Sequence, residues 1–85
     1  MKYTIRLWYI DPNNPCEDEE VVEFDEDYEA IEYARDKYEY DREVDYFRVY
    51  FGGWVEYEDG DCDFEGDLIF DLSVERIMGN GRYYR

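Results

Sequence analysis

The residues best suited to chemistry are gathered in "EDGDCDFEGD", residues 58–67, where acids alternate with glycine, cysteine and phenylalanine. Asp61, Asp63 and Glu65 take the first, third and fifth places of a loop resembling that of the EF-hand, with Gly66 sixth and Leu68 eighth. Such a loop wraps carboxylate oxygens round calcium and closes with a bidentate Glu at its twelfth place. Leu72 stands there instead, Ile69 takes the ninth place, and both flanks alternate with strand period. A calcium-binding domain is therefore kept only as a third reading, and no metal or other cofactor is expected.

Two carboxylates at a fixed separation could also act as acid and base on a glycosidic bond. Among twenty-five acids such a pair carries no signal, and a domain of 85 residues has little room for the deep cleft that a saccharide needs. With no histidine, one serine (Ser73) and one threonine (Thr4), no nucleophilic triad can be assembled. The six glycines never precede the Lys-Ser/Thr of a phosphate loop. The chain is expected not to be an enzyme.

Charge gives the stronger lead. Twenty-five acids against nine bases leave a formal net charge of -16. Direct contact with nucleic acid or an anionic membrane is disfavoured, because such polyanions are held by Lys and Arg. Partners should be basic. Self-repulsion at this charge density opposes compaction, yet 21% of the residues are aromatic, enough to build a core in a short chain. The bland counterpart is an acidity that serves only solubility or a halophilic source. Neither a signal-peptide core nor a transmembrane run is visible, so a cytoplasmic location is expected, in the host cell if the chain is phage-encoded. Cys16 and Cys62 are too few for a disulfide framework.

The elements that must position these acids can be read from periodicity. Residues 2–10 alternate, with Tyr3, Ile5, Leu7 and Tyr9 on one side and Thr4, Arg6 and Trp8 on the other, which predicts a strand. After a turn-rich break at residues 11–15, "EEVVEF" offers a second strand. Asp25 is the expected N-cap of a helix whose stripe of Tyr28, Ile31, Ala34 or Arg35, and Tyr38 faces the core, and which frays near Asp41. "YFRVYF" is a strand, Gly52-Gly53 turns it into the hairpin partner "WVEYE", and Asp59-Gly60 makes a second two-residue turn. The last strand is expected to run on through residues 61–72, with Gly66 marking a bulge, and Ser73 to cap a short turn ending at Met78. The sum is an α+β domain over residues 1–78, a mostly antiparallel sheet of four to five strands in the order β-β-α-β-β-β with one helix on one face. Residues 79–85 are expected to form a flexible basic and aromatic tail.

Pairing outward from Asp59-Gly60 sets Glu56 opposite Asp63 and Glu58 opposite Asp61, making one apolar and one acidic face. Side chains on one strand face recur at roughly 6.6 Å, so Asp61, Asp63, Glu65 and Asp67 would form an anionic row. Its spacing is comparable to that of phosphates along a nucleic-acid strand. Like charges facing across a sheet are unfavourable, which points to a cationic partner; the plain alternative is a solvated face that discourages aggregation. The expected partner-binding residues are Glu56, Glu58, Asp59, Asp61, Asp63, Glu65, Asp67 and Asp71, with residues 17–32 as a secondary site. Trp8, Tyr33, Tyr40, Tyr83 and Tyr84 are the aromatic residues expected to be exposed.

In its whole-chain acidity, small size and the rows "EDEEVVEFDEDYE" and "EYEDGDCDFEGD", the chain resembles small acidic inhibitors encoded by phages and mobile elements. Anti-CRISPR proteins and other DNA mimics belong to that class. The resemblance implies a phosphate-mimicking inhibitor of a basic nucleic-acid-binding protein, such as a Cas effector complex or a similar defence nuclease. The alternative is an antitoxin-like or regulatory interaction module that relies on aromatic contacts. Oligomeric state is not readable from the sequence.

Overall fold

Alternation in β1 (Lys2–Tyr9) places Tyr3, Ile5 and Leu7 in the core, each at most 3% exposed. The computed structural model describes residues 1–10 and 17–78, Glu17 and Met78 by backbone alone. The break at residues 11–15, Cys16 and the tail at 79–85 lie outside the described residues. Antiparallel partners flank β1 on both sides, β2 (Glu17–Glu23) on one and β3 (Val44–Phe51) on the other. Both partners therefore run the same way, and strands so related need a crossover, which α1 (Asp27–Tyr38) supplies. With β6 (Asp67–Asp71) beyond β3, the sheet reads β2-β1-β3-β6 and every neighbouring pair is antiparallel. The α+β arrangement expected from the sequence is present.

The core lies between this sheet and α1. Phe47, Val49 and Phe70 join the buried β1 side chains, while α1 contributes Ala30, Ile31 and Ala34. Small residues let the helix approach closely, and full burial of each large side chain contributes about 1.5–3 kcal/mol. The helix differs from expectation in two details. Its N-cap is Glu26 in extended conformation with no side-chain capping bond, and Tyr28 is 52% exposed. The buried stripe centres on Ile31 and Ala34, and Tyr28 sits about 100° round the axis from its neighbour Asp27, which points to the sheet and accepts a bond from Tyr3 Oη at 2.8 Å.

The Gly52-Gly53 pair does not close a hairpin between β3 and β4 (Trp54–Glu56). Gly52, at φ +88°, donates its N–H to the Lys2 carbonyl at 2.8 Å, and the chain leaves the sheet there. A Cβ at Gly53 would lie 2.4 Å from Thr4 Oγ1, so only glycine lets the backbone cross this close to β1. β4 then pairs with β5 (Cys62–Phe64) in a separate two-stranded sheet on the face opposite α1. The single strand expected over residues 61–72 is accordingly two, in different sheets. Gly66 is the crossing point, where a side chain would strike the Phe64 ring and Tyr50 Cβ. Ile69 is the extra residue of an irregularity opposite Val49 and Tyr50. A second helix, α2 (Leu72–Met78), follows β6. No helix among the described residues is long and apolar enough to cross a membrane.

Candidate interaction surface

The β4–β5 hairpin is held onto the sheet by Arg6. The Arg6 guanidinium carbon lies 3.8 Å from the Phe64 ring centroid and within 6 Å of Tyr50 and Trp54, and its Nε donates to Glu19 Oε1 at 2.9 Å. Trp54 Nε1 donates to the second Glu19 oxygen at 2.8 Å, and Lys2 Nζ to the Trp54 carbonyl at 3.1 Å. Thr4 Oγ1 donates to the Gly52 carbonyl at 2.8 Å. Trp54 and Phe64, facing each other across the hairpin, meet edge to face. They form the hairpin's inner side.

Its register differs by one residue from the expected one. Trp54 pairs with Phe64, Val55 with Asp63 and Glu56 with Cys62, and Tyr57 donates its N–H to the Asp61 carbonyl at 2.8 Å. The turn therefore holds three residues, Glu58, Asp59 and Gly60. Gly60 takes φ +88° and donates to the Tyr57 carbonyl at 3.0 Å, the arrangement of a type I turn closed by a left-handed glycine. No acid opposes an acid across β4 and β5, so the inference from like-charge cross-strand pairs does not hold.

Strand alternation now puts Asp61, Asp63 and Glu65 on the outer side beside Val55 and Tyr57. All three acids are exposed, and Tyr57 Oη donates to the Glu65 carboxylate. That bond raises the Tyr57 phenol above its ordinary pKa. Glu58 and Asp59 occupy the exposed turn, with Asp59 Oδ1 accepting from the Asp61 N–H. Glu56 belongs to the other side of the hairpin. Asp67 is exposed but sits across the Gly66 crossing, in the main sheet. The expected row of four is thus a row of three with acids at its two ends.

Asp71 is not part of any exposed row. It is 3% exposed, receives Arg48 Nε at 2.8 Å, and accepts from both the Ser73 N–H at 2.9 Å and Ser73 Oγ at 2.6 Å. Asp71, not Ser73, therefore caps α2. Burial works against its ionisation, yet the bonds from Ser73 and Arg48 outweigh that and hold its carboxyl below the ordinary range.

The secondary stretch at residues 17–32 is committed internally in its first part. Asp18 accepts from Tyr9 Oη at 3.2 Å and Glu19 is taken by Arg6. Glu20 binds Tyr33 Oη at 2.5 Å, Lys37 Nζ at 2.6 Å and Tyr38 Oη at 3.0 Å. Burial opposes the Glu20 charge, but Lys37 and the two tyrosines prevail and lower its pKa. Glu23, Asp25, Glu26 and Glu32 remain exposed. Of the aromatic residues expected outside, Tyr40 is 89% exposed; Tyr33 is half-buried against Glu20, and Trp8 is half-buried, stacked 4.6 Å from Tyr46 beneath Arg48. Tyr83 and Tyr84 lie outside the described residues. Arg6 and Arg48, to which strand periodicity assigns a place but no role, are the organising cations; their position inside strands of an acid-rich chain is the signal that marks them.

Among the described residues no three acidic or cysteine side chains converge as a metal cage requires. The residues resembling a calcium loop are strung along β5, the Glu65-Gly66 link and β6 instead of wrapping round a point. No protein-family model, curated protein or solved structure matches this chain.

Proposed function

We propose that the protein is a non-catalytic inhibitor that presents its β4–β5 hairpin to the basic nucleic-acid-binding surface of another protein. One observation carries this reading. Glu56, Glu58, Asp59, Asp61, Asp63, Glu65 and Asp67 form no ion pair with any described residue, whereas the ion pairs of Arg6, Arg35, Lys37 and Arg48 all lie elsewhere. Among the described residues Glu19, Glu20, Glu39, Asp71 and Glu75 are ion-paired within the fold, and the acids of the hairpin are not. A cationic groove that normally holds phosphates would find carboxylates at strand spacing, on a hairpin whose position is fixed by Arg6. The class resemblance directs the choice of partner to a Cas effector complex or similar defence nuclease.

Competition decides it. The protein should displace duplex DNA from a guide-loaded Cas effector, with affinity falling as salt rises. Asp61→Lys with Asp63→Lys should weaken displacement by about tenfold or more. Salt-independent competition, or competition untouched by the double reversal, rejects the reading.

A second reading, an antitoxin-like or regulatory module, draws support from the exposure of Trp54 (48%) and Tyr57 (42%) on the same hairpin. Aromatic residues of this kind are enriched at binding hot spots. Under it, Trp54→Ala or Tyr57→Ala reduces partner binding more than the double charge reversal does.

A further inference from the structure

β2 forms one edge of the sheet, and its outward backbone can be identified residue by residue. Met1 and Phe24 exchange both bonds, the Met1 amine donating to the Phe24 carbonyl at 2.9 Å and the Phe24 N–H to the Met1 carbonyl at 3.1 Å. Antiparallel ladders alternate bonded and non-bonded pairs, so Val22, Glu20 and Asp18 also turn their amides toward β1. Glu19, Val21 and Glu23 turn theirs away. The Glu19 amide is occupied by Asp18 Oδ1 at 2.9 Å, and among the described residues nothing takes the amides of Val21 and Glu23.

Edges of this length are blunted by charged side chains, proline, a bulge or a covering loop, and the described residues supply β2 with charge alone, which repels another acidic strand but not a basic one. Here the register runs unbroken from Lys2–Glu23 to Trp8–Glu17, with no proline or lysine in the strand. Both sides of β2 are braced, Glu19 by Arg6 and Trp54 on one and Glu20 by Tyr33, Lys37 and Tyr38 on the other. An incoming strand therefore meets a template already in its bound shape, and little ordering entropy remains to oppose pairing. Val21, 55% exposed, is an apolar contact between Glu19 and Glu23 on the same side.

We propose that this edge receives an extended segment of a partner protein by strand addition. The segment carries basic and aliphatic residues in turn along one of its faces, two positions apart, with a Lys or Arg side chain beside Glu23, which forms no ion pair with a described residue, and an aliphatic side chain beside Val21. Charge complementarity selects that occupant. β2 carries five acids and no base, so a second copy of this chain would set acids against acids. The edge is distinct from the hairpin's outer face, and its use does not depend on the function proposed above.

The test is amide hydrogen exchange by NMR on the full chain with the synthetic peptide Thr-Lys-Thr-Val-Thr-Arg-Thr, blocked at both ends, whose one face reads Lys-Val-Arg. Saturating peptide should slow exchange at Val21 and Glu23 by about tenfold or more. An all-Glu counterpart and a peptide N-methylated at alternate residues should not. Val21→Pro should abolish the effect while leaving the β1–β2 ladder intact, since the lost N–H points away from β1. If that variant fails to fold, the N-methylated peptide carries the same comparison. Unchanged exchange at these two amides, equal slowing by either control peptide, or slow exchange of both in the free dilute protein overturns the proposal; the last result means that the edge is already covered by the chain itself or a second copy.

Discussion

The guanidinium carbon of Arg6 lies over Phe64, 3.8 Å from the ring centroid, and so ties the acidic hairpin to β1. Lysine keeps the charge but loses the planar stack and the geometry of the Glu19 bond. Arg6→Lys should cost about 1–2 kcal/mol in chemical denaturation, and Phe64→Ala a similar amount. Trp54 fluorescence should report the hairpin loosening in both variants. An unchanged midpoint and unchanged fluorescence would show that the hairpin is held by its backbone bonds alone.

Asp71 serves an ion pair and a helix cap at once, and two substitutions separate these roles. Asparagine remains a good cap but cannot neutralise Arg48, so Asp71→Asn should cost about 1–3 kcal/mol and Asp71→Ala about 1 kcal/mol more. Because folding depresses the Asp71 pKa, its contribution is complete above the unfolded value near pH 4 and is lost as pH falls through the depressed one. Wild-type stability should fall more steeply below about pH 4 than that of Asp71→Asn, as read from urea midpoints against pH.

At the alkaline end the responsible group is Tyr38. Burial and its bond to Glu20 push the phenol up to about 12. A raised value favours the folded state below the ordinary tyrosine pKa of about 10 and withdraws that support as pH climbs from 10 towards 12. Tyr38→Phe should flatten the alkaline limb of the stability curve. Ultraviolet titration of Glu20→Gln should show one tyrosine ionising at lower pH than in the wild type.

Gly53 is sensitive for a steric reason. Its missing Cβ would stand 2.4 Å from Thr4 Oγ1, on a side chain that is fully buried and bonded to Gly52. Gly53→Ala should destabilise by about 1–3 kcal/mol, whereas Gly60→Ala, with no atom nearby, should cost only the strain of its left-handed backbone. Thermal melts of the two variants give the comparison.

Local pattern was enough for β1, where Tyr3, Ile5 and Leu7 alternate into the core, and for the extent of α1. It failed where a distant contact chose between two local solutions. Gly52-Gly53 has the composition of a hairpin turn, but Thr4 and Lys2 hold it as an exit from the sheet. Asp59-Gly60 suits a two-residue turn and a three-residue one equally, and the latter reverses the facing of every residue after it. Asp71 has the same parity as the exposed acids, and only the arrival of Arg48 from β3 makes it internal. The Glu20 cluster joins residues up to 18 positions apart, beyond any periodic signal.

The alternation of β5 has a consequence for inheritance. Removing a single codon between Asp61 and Phe64 would shift the strand by one residue, sending Phe64 to the outer face and Asp63 onto the arginine beneath. Lineages descending from this chain can exchange one acid for another on the hairpin at little structural cost, but the length of this strand should stay fixed while its composition drifts.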